Sequence, residues 1–220
     1  MFQYYYNQTL RKLTLAFGGL FDEIFVSNKT SDGVDEKTNV PLTYCGKEKF
    51  IRRLTEASSI SNNVKIESVI PRLGFEITNI QYDPERHVSK LNSKLRIDSE
   101  GGTHRSYSGV PYNVQFGLYC YSRTIEDNLQ IIEQILPYFS PEFIVTLKLN
   151  NLDVNVDVPI VLNNVSLNQT YEGDMSTRRS IISTLGFTAK AQIYGKINET
   201  GRGIIREADI NIFEDDTLYG

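Results

Sequence analysis

Leu10, Leu13, Phe17 and Leu20 or Phe21 recur at steps of three and four, the spacing of one helix face. Asn7 is placed to cap that helix. Gly18 and Gly19, each costing about 1 kcal/mol inside a helix, predict its end. Just before it stands the cluster Phe2, Tyr4, Tyr5 and Tyr6. Two readings fit those rings: a staple packing the terminus onto the core, or an aromatic anchor at a protein interface, where Tyr and Phe are enriched. Residues 23–27 read as a strand, and 28–39 as a polar loop with an Asp32-Gly33 turn. Pro41 within the short strand 40–44 argues for a sheet edge. Residues 47–57 read as a short helix with Phe50, Ile51 and Leu54 on one side.

Residues 64–82 are strand-like. Leu73, Phe75 and Ile77 alternate with polar partners, and the apolar parity then slips to Ile80 and Tyr82. A one-residue slip turns a buried set to solvent, so the pattern predicts a β-bulge near Asn79. Residues 83–109 are polar and without period, and are expected as a long loop or insertion. Tyr112, Val114, Phe116, Leu118 and Cys120 alternate and define a central strand. A long helix is predicted over about 124–137. Thr124 is its N-cap with Asp127 three residues on, a variant capping box. Ile125, Leu129, Ile132, Leu136 and Phe139 form its apolar stripe, widened by Ile131 and Ile135, and Pro137 ends it. Leu152, Val154, Val156 and Val158 alternate with polar residues, as do Leu185, Phe187, Ala189, Ala191 and Ile193. Residues 170–180 read as a loop carrying Arg178 and Arg179, and 204–213 as a final strand before the acidic run 214–216. The sum is a single α+β domain over 1–220, a mostly antiparallel sheet packed by the long helix and shorter ones.

Composition narrows the function classes. At 220 residues, with 40% hydrophobic and 23% charged positions, the chain has the profile of a globular domain. The apolar run over residues 13–21 falls well short of the ~20 residues a membrane span needs. It faintly mimics a secretory leader, but the aromatic residues before it and the lack of a small-x-small cleavage site predict a mature, intracellular N-terminus. Acids lead bases 27 to 23, so no basic footprint for duplex nucleic acid is expected.

Candidate chemistry is sparse. Cys45 and Cys120 follow no metal or redox spacing and read as small core hydrophobes. His87 and His104 lie in the polar segment and match no zinc pattern. There is no P-loop, dinucleotide fingerprint, zinc-protease motif or nucleophile elbow. No catalytic, cofactor-binding or metal-binding residue is proposed. Arg178 and Arg179 are either a solvated loop or a pair of interface ion-pair donors, with 214–216 as an acidic counterpart on a neighbouring copy. A nucleic-acid-binding module using the tyrosines as stacking platforms is a competing class, though only Arg11 and Lys12 stand near them.

One ordered set of short blocks resembles a known family. The blocks are Met1-Phe2-x-Tyr4-x-Tyr6-Asn7, Val40-Pro41-Leu42-Thr43-Tyr44 with Lys47-Glu48-x-Phe50, and Ile70-Pro71-Arg72. They continue with Glu133-Gln134-Ile135-Leu136-Pro137-Tyr138-Phe139, Gly173-Asp174-x-Ser176-x-Arg178-Arg179 and Gly203-Ile204-Ile205-Arg206. Together they resemble the tail sheath stabiliser and completion proteins of T-even-type contractile-tailed bacteriophages. The segment 83–109 has no counterpart in that resemblance, and the T-even member continues past the equivalent of Gly220 into a polar tail. The resemblance implies the phage tail-terminator fold and a structural, non-enzymatic protein of the virion, assembled in the host cytoplasm. It implies a homohexameric ring at the head-proximal end of the tail, touching sheath, tube or tube terminator, and neck. DNA would cross the lumen without specific binding, and neither cofactor nor membrane is involved. Phe2, Tyr4, Tyr5, Tyr6, His104, Tyr107, Arg178 and Arg179 are the candidate interface residues. Another tail or neck component, such as the tube terminator proper, is the alternative within assemblies.

Overall fold

The computed structural model describes residues 4–29, 35–49, 70–89, 92–97, 103–149, 154–169, 181–196 and 198–200. Helix α1 (Thr9–Gly19) leads into the hairpin β1 (Phe25–Lys29) and β2 (Asp35–Asn39). The short strand β3 (Leu42–Tyr44) and then β4 (Arg72–Tyr82) follow. Strands β5 (Ser93–Ile97) and β6 (Thr103–Tyr107) precede the long β7 (Val110–Ser122). Helix α2 (Ile125–Ile135) ends in a 3-10 turn, Leu136–Tyr138. The chain then builds β8 (Glu142–Leu149), β9 (Val154–Gln169), β10 (Ile181–Ile193) and β11 (Asn198–Thr200).

Six strands form one sheet in the order β3-β4-β7-β10-β9-β8, antiparallel except where β3 runs parallel to β4. The alternation over 112–120 does mark a central strand, and the short proline-led strand does sit at an edge. The parity slip in β4 is a bulge: Ile77 faces Phe116 and Asn79 faces Gln115, leaving Thr78 as the extra residue. A second bulge interrupts β9, where Gly186 faces Asn164 but Phe187 faces Leu162. Both fall at the level of the Phe116–Gly117 and Gly186–Phe187 pairs. Bulges bend a strand and raise its twist, so the sheet curls at this one level.

The hollow of the curl is filled by Phe17, fully buried on α1. Its ring stacks on Phe116 with centroids 4.3 Å apart and meets Phe187, Phe21 and Phe75 at 5.3, 5.1 and 5.6 Å. Phe139 extends the cluster, 5.0 Å from Phe187. Gly18 lets the helix end come this close, because a Cβ there would stand 2.9 Å from Phe75 Cζ. Capping differs from expectation: Asn7 does not cap α1. Its amide donates to the carbonyls of Tyr194 and Gly195, both at 3.0 Å, and Gln8 takes a left-handed conformation at the N-cap with φ 56°.

Two expectations need correction. The helix over 124–137 is not long: its α-helical part is 11 residues, the same length as α1, and Leu136–Tyr138 tightens into the 3-10 turn around Pro137. Its cap is as read, Thr124 Oγ1 accepting from the Asp127 N–H at 3.2 Å. The buried stripe is not. Ile125, Leu129 and Leu136 are 43–47% exposed, while Asp127, Asn128, Ile131, Ile132 and Ile135 are buried. Asn128 can face inward because its amide donates to Ser122 Oγ at 3.0 Å while its carbonyl accepts from Ser183 Oγ. That polar pairing offsets a burial cost that apolar periodicity counts as prohibitive.

The second correction concerns 83–109, which is no continuous loop. It carries the hairpin β5–β6, joined by β11 in a three-stranded sheet of order β11-β6-β5. The strands are too polar to show a period. The loop read over 28–39 likewise gives way to β2 from Asp35 onward. The free edge of β1 is covered by α2: the side-chain amides of Gln134 and Gln130 each donate to and accept from one backbone unit, Phe25 and Ser27 respectively. Residues 47–49 are helical. The rest of the 47–57 helix, the 64–69 part of the early strand, the Asp32-Gly33 turn, the 170–180 loop, the 204–213 strand and the 214–216 run lie outside the described residues.

Candidate assembly surface

One end of the main sheet gathers tyrosines. Tyr82 ends β4 opposite Tyr112 on β7, their rings edge to face at 5.8 Å. Tyr112 also faces Ala191, and Tyr194 follows just beyond the end of β10. The Asn7 amide ties the N-terminal segment to Tyr194 and Gly195, which brings Tyr4, Tyr5 and Tyr6 to the same end. These three are 94%, 50% and 54% exposed. They are therefore not a staple packed on the core. Tyr107, half-exposed, closes β6 two residues before Gly109, whose Cβ position lies against Gln192 and Tyr194. Exposed Ile80, Val88 and Val110 complete this rim.

The rim is held rigidly. The Arg86 guanidinium donates to Asp83 Oδ2 at 2.7 Å, to Asn113 Oδ1 at 3.0 Å and to the Tyr112 carbonyl at 3.4 Å, fixing the turn after β4 onto β7. The hydrogen bond from Arg86 holds the Asp83 carboxyl below its ordinary range.

Of the residues singled out from sequence, Tyr4, Tyr5, Tyr6 and Tyr107 meet at this end. His104 lies on β6 with Arg96 and Glu199 as its strand neighbours. Phe2, Arg178 and Arg179 lie outside the described residues. The strand ends flanking that arginine pair, Gln169 and Ile181, belong to the opposite end of the sheet. Sequence reasoning missed Tyr82, Tyr112 and Tyr194 as members of the rim. Each sits near the end of its strand in an apolar alternation, and only strand pairing brings them together.

The sheet face away from the helices carries two perturbed phenols. Tyr119 lies over Gly117, where a Cβ would stand 2.8 Å from its hydroxyl oxygen, and donates to Glu76 Oε1 at 2.9 Å. Burial and then the Glu76 carboxylate push the Tyr119 phenol up to about 12. A raised phenol pKa contributes stability that is complete below about pH 10 and is lost as pH rises toward 12. Tyr119→Phe is expected to cost about 1 kcal/mol near pH 7 and to lose less stability than the parent between pH 10 and 12. Urea unfolding across that range reads both effects. Tyr121 on the same face is shifted in the same direction.

Among the described residues no group of three His, Cys, Asp or Glu is placed to hold a metal ion, and no helix is long and apolar enough to cross a membrane. Cys120 is fully buried, and burial pushes its thiol up to about 12, the behaviour of an inert core thiol. The described residues do present exposed aromatic side chains at one end of the main sheet. In comparison with known proteins, residues 4–219 match the T4-like Myoviridae tail sheath stabilisers, and the chain belongs to that family of phage tail structural proteins. A curated relative, the tail completion protein gp15 of Enterobacteria phage T4, is 30% identical over 212 residues, covering 94% of this chain and 77% of the relative.

Proposed function

We propose that the chain closes the head-proximal end of a contractile tail as a six-fold ring. There it stops growth of tube and sheath, holds the sheath extended and presents a surface to the neck of the filled head. The observation that carries this reading is the family match across nearly the whole chain. The aromatic rim supports it, since Tyr side chains supply large contact area at interfaces. In this reading Phe2, Tyr4, Tyr5, Tyr6, His104 and Tyr107 serve one contact and Arg178 with Arg179 serve another. A net charge of −4 suits a channel that DNA must traverse without binding. The role is non-enzymatic, and the ring is assembled in the host cytoplasm.

The test is co-sedimentation with purified sheath polymer and, separately, with tail tubes. The triple variant Tyr4→Ala, Tyr5→Ala, Tyr6→Ala is expected to weaken binding at least tenfold, roughly 1.4 kcal/mol. Its unfolding midpoint should stay unchanged, because these rings are exposed. Unchanged binding removes the rings from the interface. Binding to tubes alone reassigns the chain as a tube terminator.

A further inference from the structure

Among the described residues the sheet leaves two strand edges without a partner, and they match each other. On one side β3 pairs only with Leu73–Phe75, so the edge of β4 past the Thr78 bulge has no strand partner among the described residues. On the other side β8 pairs only with residues 154–161, so the edge of β9 past the Asn163 bulge has none either. A strand edge without a partner is a template for pairing with another chain, and proteins guard such edges with charge, proline or cover. Several other edges among the described residues carry such guards. Glutamines cover β1. Charged residues lie on β2 (Asp35, Glu36, Lys37), β5 (Lys94, Arg96), β8 (Glu142, Lys148) and β11 (Glu199). The stretches Thr78-Asn79-Ile80-Gln81-Tyr82 and Asn164-Val165-Ser166-Leu167-Asn168 contain neither charge nor proline, in a chain with 23% charged residues.

Backbone and side-chain orientation also agree. The Asp83 N–H donates to the Pro111 carbonyl, so Asp83 and Gln81 turn toward β7, and Ile80 and Tyr82 turn their backbone groups outward. Counting the same alternation through β7 and β10 turns Val165 and Leu167 outward on β9. All four side chains lie on the helix-bearing face, opposite Val114, Tyr112, Leu185 and Ser183. All four are 37–50% exposed.

We propose that the β4 edge of one copy pairs antiparallel with the β9 edge of the next, covering Ile80 and Tyr82 with Val165 and Leu167. Three antiparallel steps separate β4 from β9, so a copy displaced sideways presents β9 in the required direction. Two unlike edges on opposite sides make a heterologous contact, the kind that closes rings. The two open stretches lie toward opposite ends of the sheet, which supplies the stagger a closing sheet requires. This inference rests on the ring reading above.

Light scattering on the eluted full chain, alone and with variants Ile80→Lys and Leu167→Lys, tests it. The parent is expected to be a ring and each variant a monomer. An equimolar mixture of the two variants should stop at a dimer, because it retains one intact pair of edges per couple. A variant that stays a ring, or an Ile80→Lys and Leu167→Lys pair that does not complement, overturns the proposal. So does a parent that remains monomeric at every concentration; sheath binding, read separately, then decides whether the tail role survives. Hydrogen exchange on the unmodified chain covers the case of a misfolded variant. The Ile80, Tyr82, Val165 and Leu167 amides should exchange roughly a hundredfold slower in the assembled form than at dilution to monomer, and equal rates overturn the pairing.

Discussion

Phe17→Ala is expected to lower stability by about 3–5 kcal/mol, the range for deleting a buried aromatic ring. The upper part of that range applies, because the ring is fully buried and four other phenylalanines pack on it. Those neighbours come from the turn after α1, β4, β7 and β10, so no single element can move in to refill the hole. Aromatic pairs add about 0.5–1.5 kcal/mol beyond area burial. Against a typical total of about 5–15 kcal/mol, the variant should show a much lower urea midpoint and reduced soluble yield. Phe17→Leu, which keeps most of the volume, should cost less than half as much. Similar midpoints for both variants would mean that the curl of the sheet does not depend on this ring.

Asn128→Leu is the second large effect, at about 2–4 kcal/mol. The substitution is nearly isosteric, so the loss comes from hydrogen bonding. Asn128 bridges Ser122 and Ser183, and all three residues are fully buried. Leaving two buried hydroxyls with no amide costs about 1–3 kcal/mol each when water cannot enter. Removing both sides of a buried bond is far cheaper than removing one. The triple variant Asn128→Leu, Ser122→Ala, Ser183→Ala should therefore be more stable than Asn128→Leu alone. Strict additivity of the three losses would refute the network.

The same asparagine shows why the sequence was legible in some places and opaque in others. Strand alternation survived because it depends on one residue after another: β7, β10 and the bulge in β4 follow from parity alone. The cap at Thr124 followed because it is a local bond across three residues. The face of α2 did not. Apolar residues surround that helix, and the choice among faces was made by Ser122 and Ser183, polar groups on strands placed beneath it by the topology. The hairpin β5–β6 was invisible for the opposite reason, since it holds too few apolar residues to carry a period. At the candidate surface, exposure of Tyr4, Tyr5 and Tyr6 was one of two open readings. Their company with Tyr82, Tyr112 and Tyr194 depended on pairing between strands remote in sequence.

The glutamine pair on α2 works as a gauge. Four residues of helix rise about 6 Å, and two residues of strand span roughly 6.6 Å. Gln130 and Gln134 therefore fall into step with Ser27 and Phe25, each amide meeting one N–H and one carbonyl. A primary amide carries its N–H donor and its carbonyl acceptor on two atoms side by side, which matches the acceptor and donor of one backbone unit. Hydrolysis of either glutamine to glutamate replaces the donating nitrogen with an oxygen facing a carbonyl oxygen. The seal on β1 thus has a chemical lifetime, set by two side-chain amides rather than by the stability of the fold around them.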